Sequence, residues 1–282
     1  MLLTVAHLTY CLLYNEFSLG GGNSAQFAKK GIKGESMLGI WRQATVLLVM
    51  ISLSPILAGQ DSADDIPPAR TQYMGRTIAQ TMGYQGAPWL IRPDREQQEH
   101  PSDVMKQLKL KPGMTVCDLG CGNGFYTLLM AKEVGPEGRV LAVDIQQEML
   151  HLLELRCKDA GVENVEPVLS TIVDPKLPDQ EVDLILLADV YHEFSHPEQM
   201  LAGLRKSLSG QGVIALLEFR EEDPRVPIKP LHKMSKRQIY KEYKANGFRV
   251  ARQYDGLPWQ HLIFLERDPT WQGKTTSSQA DR

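Results

Sequence analysis

Three glycines at alternating positions constrain this chain more than any other feature. In Asp118-Leu-Gly-Cys-Gly-Asn-Gly124 they follow an apolar run at 114–119 and precede an apolar-periodic run at 126–134. The first run reads as a buried strand and the second as a helix. With no Cβ atoms at Gly120, Gly122 and Gly124, a ligand can lie against the backbone, and the helix beyond offers free N–H groups that favour an anionic group. The spacing is not that of a dinucleotide reader: counted from Gly120, a G-x-G-x-x-G pattern finds Phe125 at its sixth place.

A second feature stands at a meaningful distance. Asp144 ends the apolar run 139–145, 24 residues beyond Gly120. A carboxylate at the end of the second strand of a βαβ unit can accept hydrogen bonds from both hydroxyls of a ribose. Ile145 beside it offers an apolar face to a base. The bland alternative for Asp144 is a helix N-cap.

The rest of the chain alternates in the same way. Ser102 is placed to N-cap a helix carrying Val104, Met105, Leu108 and Leu110, which Pro112-Gly113 ends. Strands are expected at 114–119, 139–145, 165–169, 182–188 and 212–219, with helices at 126–134, 147–160, 197–208 and 235–246. The run 182–188 is almost continuously apolar, as a parallel strand buried on both faces would be. Segments 248–254 and 261–266 close the chain as a strand pair. Strands separated by helices imply βαβ units, so the fold class is α/β: a seven-stranded, mostly parallel sheet with an antiparallel C-terminal pair.

These motifs carry a resemblance that covers residues 102–268. Val-Cys-Asp-Leu-Gly-Cys-Gly-Asn-Gly, Val-Leu-Ala-Val-Asp-Ile and Val182-Asp-Leu-Ile-Leu-Leu-Ala-Asp-Val resemble the first, second and fourth-strand motifs of class I S-adenosylmethionine (SAM)-dependent methyltransferases. Leu204-Arg-Lys-Ser-Leu-Ser-Gly-Gln-Gly-Val is similar to the turn before that family's fifth strand. The resemblance is to the small-molecule branch, which includes quinone-biosynthesis enzymes. The resemblance implies a Rossmann-like sheet, SAM as cofactor and a small-molecule acceptor. It also implies that Asp118 and Gly120 hold the methionine part, that Asp144 holds the ribose and that Asp189 borders the methyl group. The family often has an acid after the third strand for the adenine amino group. Thr171 stands there instead, and the nearest acid downstream is Asp174.

Transfer of a methyl group from a sulfonium needs alignment and exclusion of water, and a base only when the acceptor must lose a proton. Candidates follow the fourth strand in Asp189-Val-Tyr-His-Glu-Phe194, where open α/β sheets bind ligands. Tyr191, His192 and Glu193 are the expected catalytic group, with His192 able to titrate near neutrality. His232, in the segment after the fifth strand, and Trp259 and His261, in the final turn, are expected to contact substrate. Trp89 and Arg92 are candidates for a segment folding over the cofactor. No two of His192, His232 and His261 have i,i+3 or i,i+4 spacing, so no metal site is expected. Two other readings stay open: a non-catalytic exported binding protein that keeps the fold, and an NAD-dependent oxidoreductase.

Composition narrows the partners. The net charge of −3 gives no basic field for nucleic acid, and beyond residue 60 the balance is 27 basic against 32 acidic residues. Cys117, Cys121 and Cys157 lie in apolar settings without CxxC spacing and read, with the present folding scheme, as filler rather than redox or metal groups.

The N-terminal region follows different rules. Arg42, the apolar run 46–53 and the small residues Ala58-Gly59 have the order of a secretory signal peptide, expected at 37–60. Broken by Ser52, Ser54 and Pro55, the run falls short of a span of roughly 20 apolar residues. Met37 stands where such a peptide would begin, which makes 1–36 a non-native or dispensable extension. If the peptide is used, the enzyme is exported or periplasmic; otherwise it is cytoplasmic or anchored at a membrane. Residues 61–72 read as the polar start of a linker and cap segment reaching 101, and 269–282 as a polar tail.

Overall fold

A computed structural model describes residues 66–273, within the unit Asp61–Arg282. The expected extension at 1–36, the signal-like run at 37–60 and the tail from 274 onward lie outside the described residues.

Two short strands, β1 (Gln72–Tyr73) and β2 (Arg76–Thr77), form an antiparallel hairpin, and three short helices follow: α1 (Ala87–Leu90), α2 (Arg95–Glu99) and α3 (Pro101–Leu108). Then come β3 (Thr115–Leu119), α4 (Phe125–Val134), β4 (Arg139–Asp144), α5 (Gln147–Ala160), β5 (Val165–Leu169) and β6 (Val182–Ala188). The last elements are α6 (Pro197–Ser207), β7 (Leu208–Phe219), α7 (Lys236–Ala245), β8 (Phe248–Tyr254) and β9 (Gln260–Arg267). Seven strands make one sheet in the order β5-β4-β3-β6-β7-β9-β8. The first five are parallel, and β9 runs antiparallel to both β7 and β8. This is the expected α/β class with its antiparallel C-terminal pair.

Period-two alternation builds a core on each face of the sheet. Cys117, Leu119, Ile185 and Leu187 pack with Met200, Leu201 and Leu204 of α6 and with Ile239 and Tyr243 of α7. Val116, Leu184 and Leu186 pack with Val104 and Leu108 of α3 and with Tyr126, Met130 and Val134 of α4. The one polar interruption of β6, Asp183, is satisfied: it accepts from the Thr115 N–H at 3.1 Å and the Ser209 hydroxyl at 3.0 Å.

Three expectations need correction. Ser102 does not cap α3; Pro101 occupies the first turn, where its missing N–H is no loss, and the Ser102 hydroxyl donates to Glu96. Strand β7 begins at Leu208 rather than 212, because Leu208 is buried and already pairs with Val182 across a register shift. The polar stretch before residue 73 is not a free linker over its described part. The Pro67 carbonyl accepts from Nε2 of buried His196 at 2.6 Å, and the Arg70 N–H donates to the Ser195 carbonyl at 3.2 Å. Among the described residues, no helix is long and apolar enough to cross a membrane.

Candidate active site

The sheet reverses its winding beside β3: the chain steps outward through β4 to β5, then returns to place β6 on the other side of β3. At the carboxyl ends of these strands, where such a reversal leaves a crevice, lies a cavity of about 480 Å³. Its size suits small-molecule ligands.

One end is built from the glycine loop and the ends of β4 and β5. Gly120, Gly122, Asp144, Ile145, Met149, Ser170 and Thr171 line it. Gly120 has φ +73°, and a Cβ there would stand 2.5 Å from a Val190 methyl carbon, so both backbone and space require glycine. Asp144 is 7% exposed; its Oδ2 accepts from the Gly122 N–H at 2.9 Å and its Oδ1 from the Gln146 N–H at 2.9 Å. Burial raises its pKa, the backbone donors oppose that, and each oxygen keeps a lone pair for a further donor. A buried carboxylate beside a backbone without Cβ atoms, with Ile145 and Met149 as apolar neighbours, fits the nucleoside of SAM.

Two members of the motif stand behind the wall instead. Asp118 does not line the cavity; its carboxylate accepts from the Thr127 hydroxyl at 2.6 Å, and burial pushes its pKa up to about 6. Gly124 is also outside the lining. It starts α4 at φ +83°, and a Cβ there would meet Leu153 at 2.2 Å, so its glycine serves helix packing. Thr171 does line the cavity, but its hydroxyl is engaged in a turn, accepting from the Asp174 N–H at 3.0 Å. The Asp174 side chain bonds Lys176 and does not line the cavity.

The segment before the sheet forms another wall. Trp89, Leu90, Arg92, Arg95 and Glu99 all line the cavity, as expected for Trp89 and Arg92. The Arg95 guanidinium lies 4.1 Å from the Phe125 ring centroid and donates to Glu99 at 2.8 Å and to the Leu90 carbonyl at 2.6 Å. Arg92 donates to Glu99 as well. Sequence reasoning missed Arg95 and Glu99. Their i,i+4 spacing was visible, but that pattern is common on exposed helices, and both residues are buried here.

The other end is built by the turns after β6 and β7. Asp189 takes φ +55°, a strained value for a residue other than glycine. Its Oδ2 accepts from Gln260 at 2.7 Å, while Oδ1 is buried without a hydrogen-bond partner at the cavity wall. Burial, followed by the nearby Glu99 and Glu218 carboxylates, holds its pKa well above the usual range.

The turn Tyr191–Glu193 divides its side chains between core and cavity. His192 and Glu193 line the cavity, but Tyr191 does not; its ring is fully buried and its hydroxyl donates to Glu242 at 2.8 Å. The expected catalytic place of Tyr191 is therefore not reached. His192 Nδ1 donates to Glu218 at 2.7 Å, which leaves Nε2 facing His232 Nδ1 at 3.0 Å. Burial lowers the His192 pKa, but the Glu218 carboxylate outweighs it and the net shift is upward. Burial also carries Glu193 to about 7. Glu218, fully buried on β7, went unnoticed in the sequence because nothing local marks a strand glutamate as the partner of a histidine 26 residues away.

His232 reaches this cluster from the 3-10 turn Pro230–His232 and lines the cavity. Trp259 and His261 do not. His261 is 4% exposed on β9 and bonds Glu222 at 2.8 Å, while Trp259 lies in the turn before β9, where its carbonyl accepts from the Arg220 N–H at 2.9 Å. The spacing of His192, His232 and His261 along the chain gave no sign of which of them meet in space. His192, Glu193 and His232 converge from two separate turns, with one ligand-type atom from each within 4.8 Å of the others.

Comparison with known proteins agrees with this architecture. Residues 110–275 match a family model described as a methyltransferase domain. The crystal structure of a SAM-dependent methyltransferase from Aquifex aeolicus is 29% identical, with a TM-score of 0.62 over 66% of this chain and 98% of that one. Demethylmenaquinone methyltransferase of Listeria welshimeri is 26% identical over 125 residues, 44% of this chain and 52% of that protein. The Geobacillus stearothermophilus protein of the same name is 31% identical over 85 residues, 30% of this chain and 36% of that protein. The chain thus spans about half or less of the length of these curated relatives. It belongs to the methyltransferase domain family, within the class I SAM-dependent enzymes.

Proposed function

We propose that this enzyme methylates a small-molecule acceptor bound between Asp189 and the His192–Glu193–His232 cluster. The observation that carries the reading is the single cavity of about 480 Å³ joining the Gly120–Asp144 end to that cluster. Bound SAM supplies an activated methyl group on sulfonium. The residues of this chain hold and align the two molecules and keep water out. Asp144 accepts hydrogen bonds from ribose hydroxyls, and Ile145 and Met149 flank the base. His192, fixed by Glu218, presents Nε2 to the acceptor end, where a hydroxyl or other acidic group needs a partner.

A small acceptor is favoured by the cavity size, by the apolar wall of Phe194, Met200, Phe219 and Ile228, and by the lack of excess positive charge. Relatives named demethylmenaquinone methyltransferase support an acceptor of the quinone type, in its quinone or quinol form. Turnover of labelled SAM against phenol, quinol, amine and thiol acceptors tests this. Transfer to a hydroxylated ring is the expected result, and tight SAM binding with no turnover on any acceptor would favour a non-catalytic binding protein.

We further propose that the chain is exported, on the strength of Arg42, the apolar run 46–53 and Ala58-Gly59. N-terminal sequencing of the mature protein should begin near residue 60; an intact N-terminus would return the enzyme to the cytoplasm or a membrane anchor.

A further inference from the structure

We propose that His192, Glu193 and His232 bind one divalent transition-metal ion of the zinc type at the acceptor end of the cavity. His192 Nε2 and His232 Nδ1 are 3.0 Å apart, and Glu193 Oε1 lies 3.9 Å from each of them. At 3.9 Å neither carboxylate contact is a hydrogen bond. The carboxylate therefore faces two ring nitrogens and bonds neither. A triangle with those sides has a circumradius of about 2.1 Å, the bond length of a zinc ion to imidazole nitrogen or carboxylate oxygen. Two histidines and one carboxylate are also a recognised donor set, used by catalytic zinc and by non-haem iron, with coordination positions left open.

The surroundings have the support such ligands need. Metal-binding histidines almost always donate their second ring N–H to a carboxylate or carbonyl. His192 does so to Glu218 at 2.7 Å, in a pocket where Glu218 is fully buried. Glu193 Oε1 is held by the Met82 N–H at 3.2 Å and keeps a further lone pair. To ligate, His232 only has to carry its proton on Nε2 and turn the Nδ1 lone pair toward the ion. All three residues line the cavity, so the open positions would be accessible to a ligand there.

The place of this ion in the reaction rests on the function proposed above. With the ion bound, His192 Nε2 is a ligand and the ion takes over that nitrogen's part at the acceptor: a bound acceptor hydroxyl would lose its proton more readily, to solvent water before methyl transfer. Its oxygen then forms the bond to the methyl carbon while the carbon–sulfur bond breaks, and the electron pair stays on sulfur.

The test uses the full chain after treatment with a chelator. Zinc is titrated in competition with a chromophoric chelator, and cobalt is added separately to read its visible ligand-field bands. One zinc per chain is expected, with a cobalt spectrum typical of nitrogen and oxygen ligands. His232→Ala, at a partly exposed side chain (29%), should weaken zinc binding at least tenfold, and Glu218→Gln by roughly 10–100-fold. No stoichiometric zinc, or equal affinity in the wild type and in His232→Ala, overturns the site. S-adenosylhomocysteine binding is measured on the same samples. If it binds and zinc does not, this proposal fails alone; if zinc binds and it does not, the proposed cofactor end of the cavity, and the function resting on it, fails instead.

Discussion

Arg76 and Glu242, 166 residues apart, lock the N-terminal hairpin onto the active-site turn. The Arg76 Nε donates to Glu242 Oε1 at 2.7 Å and its Nη1 to the His192 carbonyl at 2.9 Å. Glu242 is fully buried and also accepts from the Tyr191 hydroxyl at 2.8 Å and from Gln238 at 2.7 Å. The hairpin thus holds the backbone that aims His192 and Glu193 into the cavity. Replacing one partner leaves an uncompensated buried charge, a loss of about 3–5 kcal/mol. Arg76→Met should lower stability by that amount in urea unfolding and weaken turnover. By contrast, Tyr191→Phe removes one hydrogen bond to a charged group, costs roughly 1.5–3 kcal/mol and leaves the cavity lining intact. Turnover of folded Tyr191→Phe falling by orders of magnitude would show that the tyrosine acts directly.

Gly120 gives a sharper test of the glycine loop. Its φ of +73° and the Val190 side chain 2.5 Å from a would-be Cβ oppose any side chain. Gly120→Ala should cost about 1–3 kcal/mol from backbone strain alone and should also distort the cofactor end of the cavity. Calorimetry with S-adenosylhomocysteine should show much weaker binding, with Gly113→Ala as control. Gly113 shares a positive φ of +86° but has open space around it, so that variant should lose stability without losing affinity.

The sheet was legible because each of its strands announces itself locally, through apolar runs such as 182–188 and through the loop that follows β3. The meeting of Gly120, Gly122, Asp144 and Ile145 at one end of the cavity was legible for the same reason: they sit within one βαβ unit, where spacing along the chain translates directly into spacing in space. The acceptor end was only half legible. The position of His192 and Glu193 followed from their place after β6, but which side chain of the turn faces inward depends on α7 and on the hairpin, and so Tyr191 was misplaced. Glu218 acquires meaning only through a partner in a distant segment, and Arg95 and Glu99, though i,i+4 partners, only through the burial that the rest of the fold gives them. His261 looked available in a turn, yet the strand starts at Gln260 and draws it into the sheet.

Asp144→Ala tests the ribose assignment. The carboxylate would contribute charge-assisted hydrogen bonds of roughly 1.5–3 kcal/mol each, so affinity for S-adenosylhomocysteine should fall at least tenfold. Unchanged affinity would remove Asp144 from the cofactor site. Loss of the Gly122 and Gln146 contacts also loosens the loop, so circular dichroism should accompany the calorimetry.

Asp118 leads to a pH prediction. Burial raises its pKa from an ordinary 3.8 to about 6, with the Thr127 hydroxyl partly opposing the shift. At neutral pH the folded state therefore holds an ionised carboxyl that the unfolded state ionises more easily, which costs about 3 kcal/mol of stability. Because the folded pKa is raised, the penalty is complete above about pH 6, shrinks as the pH falls through the window between the two pKa values, and is gone below about pH 3, where both states are protonated. Asp118→Asn keeps an oxygen to accept the Thr127 hydroxyl and removes the charge. Its stability advantage in urea unfolding should be largest at pH 7, small at about pH 4 and absent below about pH 3. A variant less stable than wild type at pH 7 would show that the charge of Asp118 is balanced by a partner, with Arg95 the first to examine.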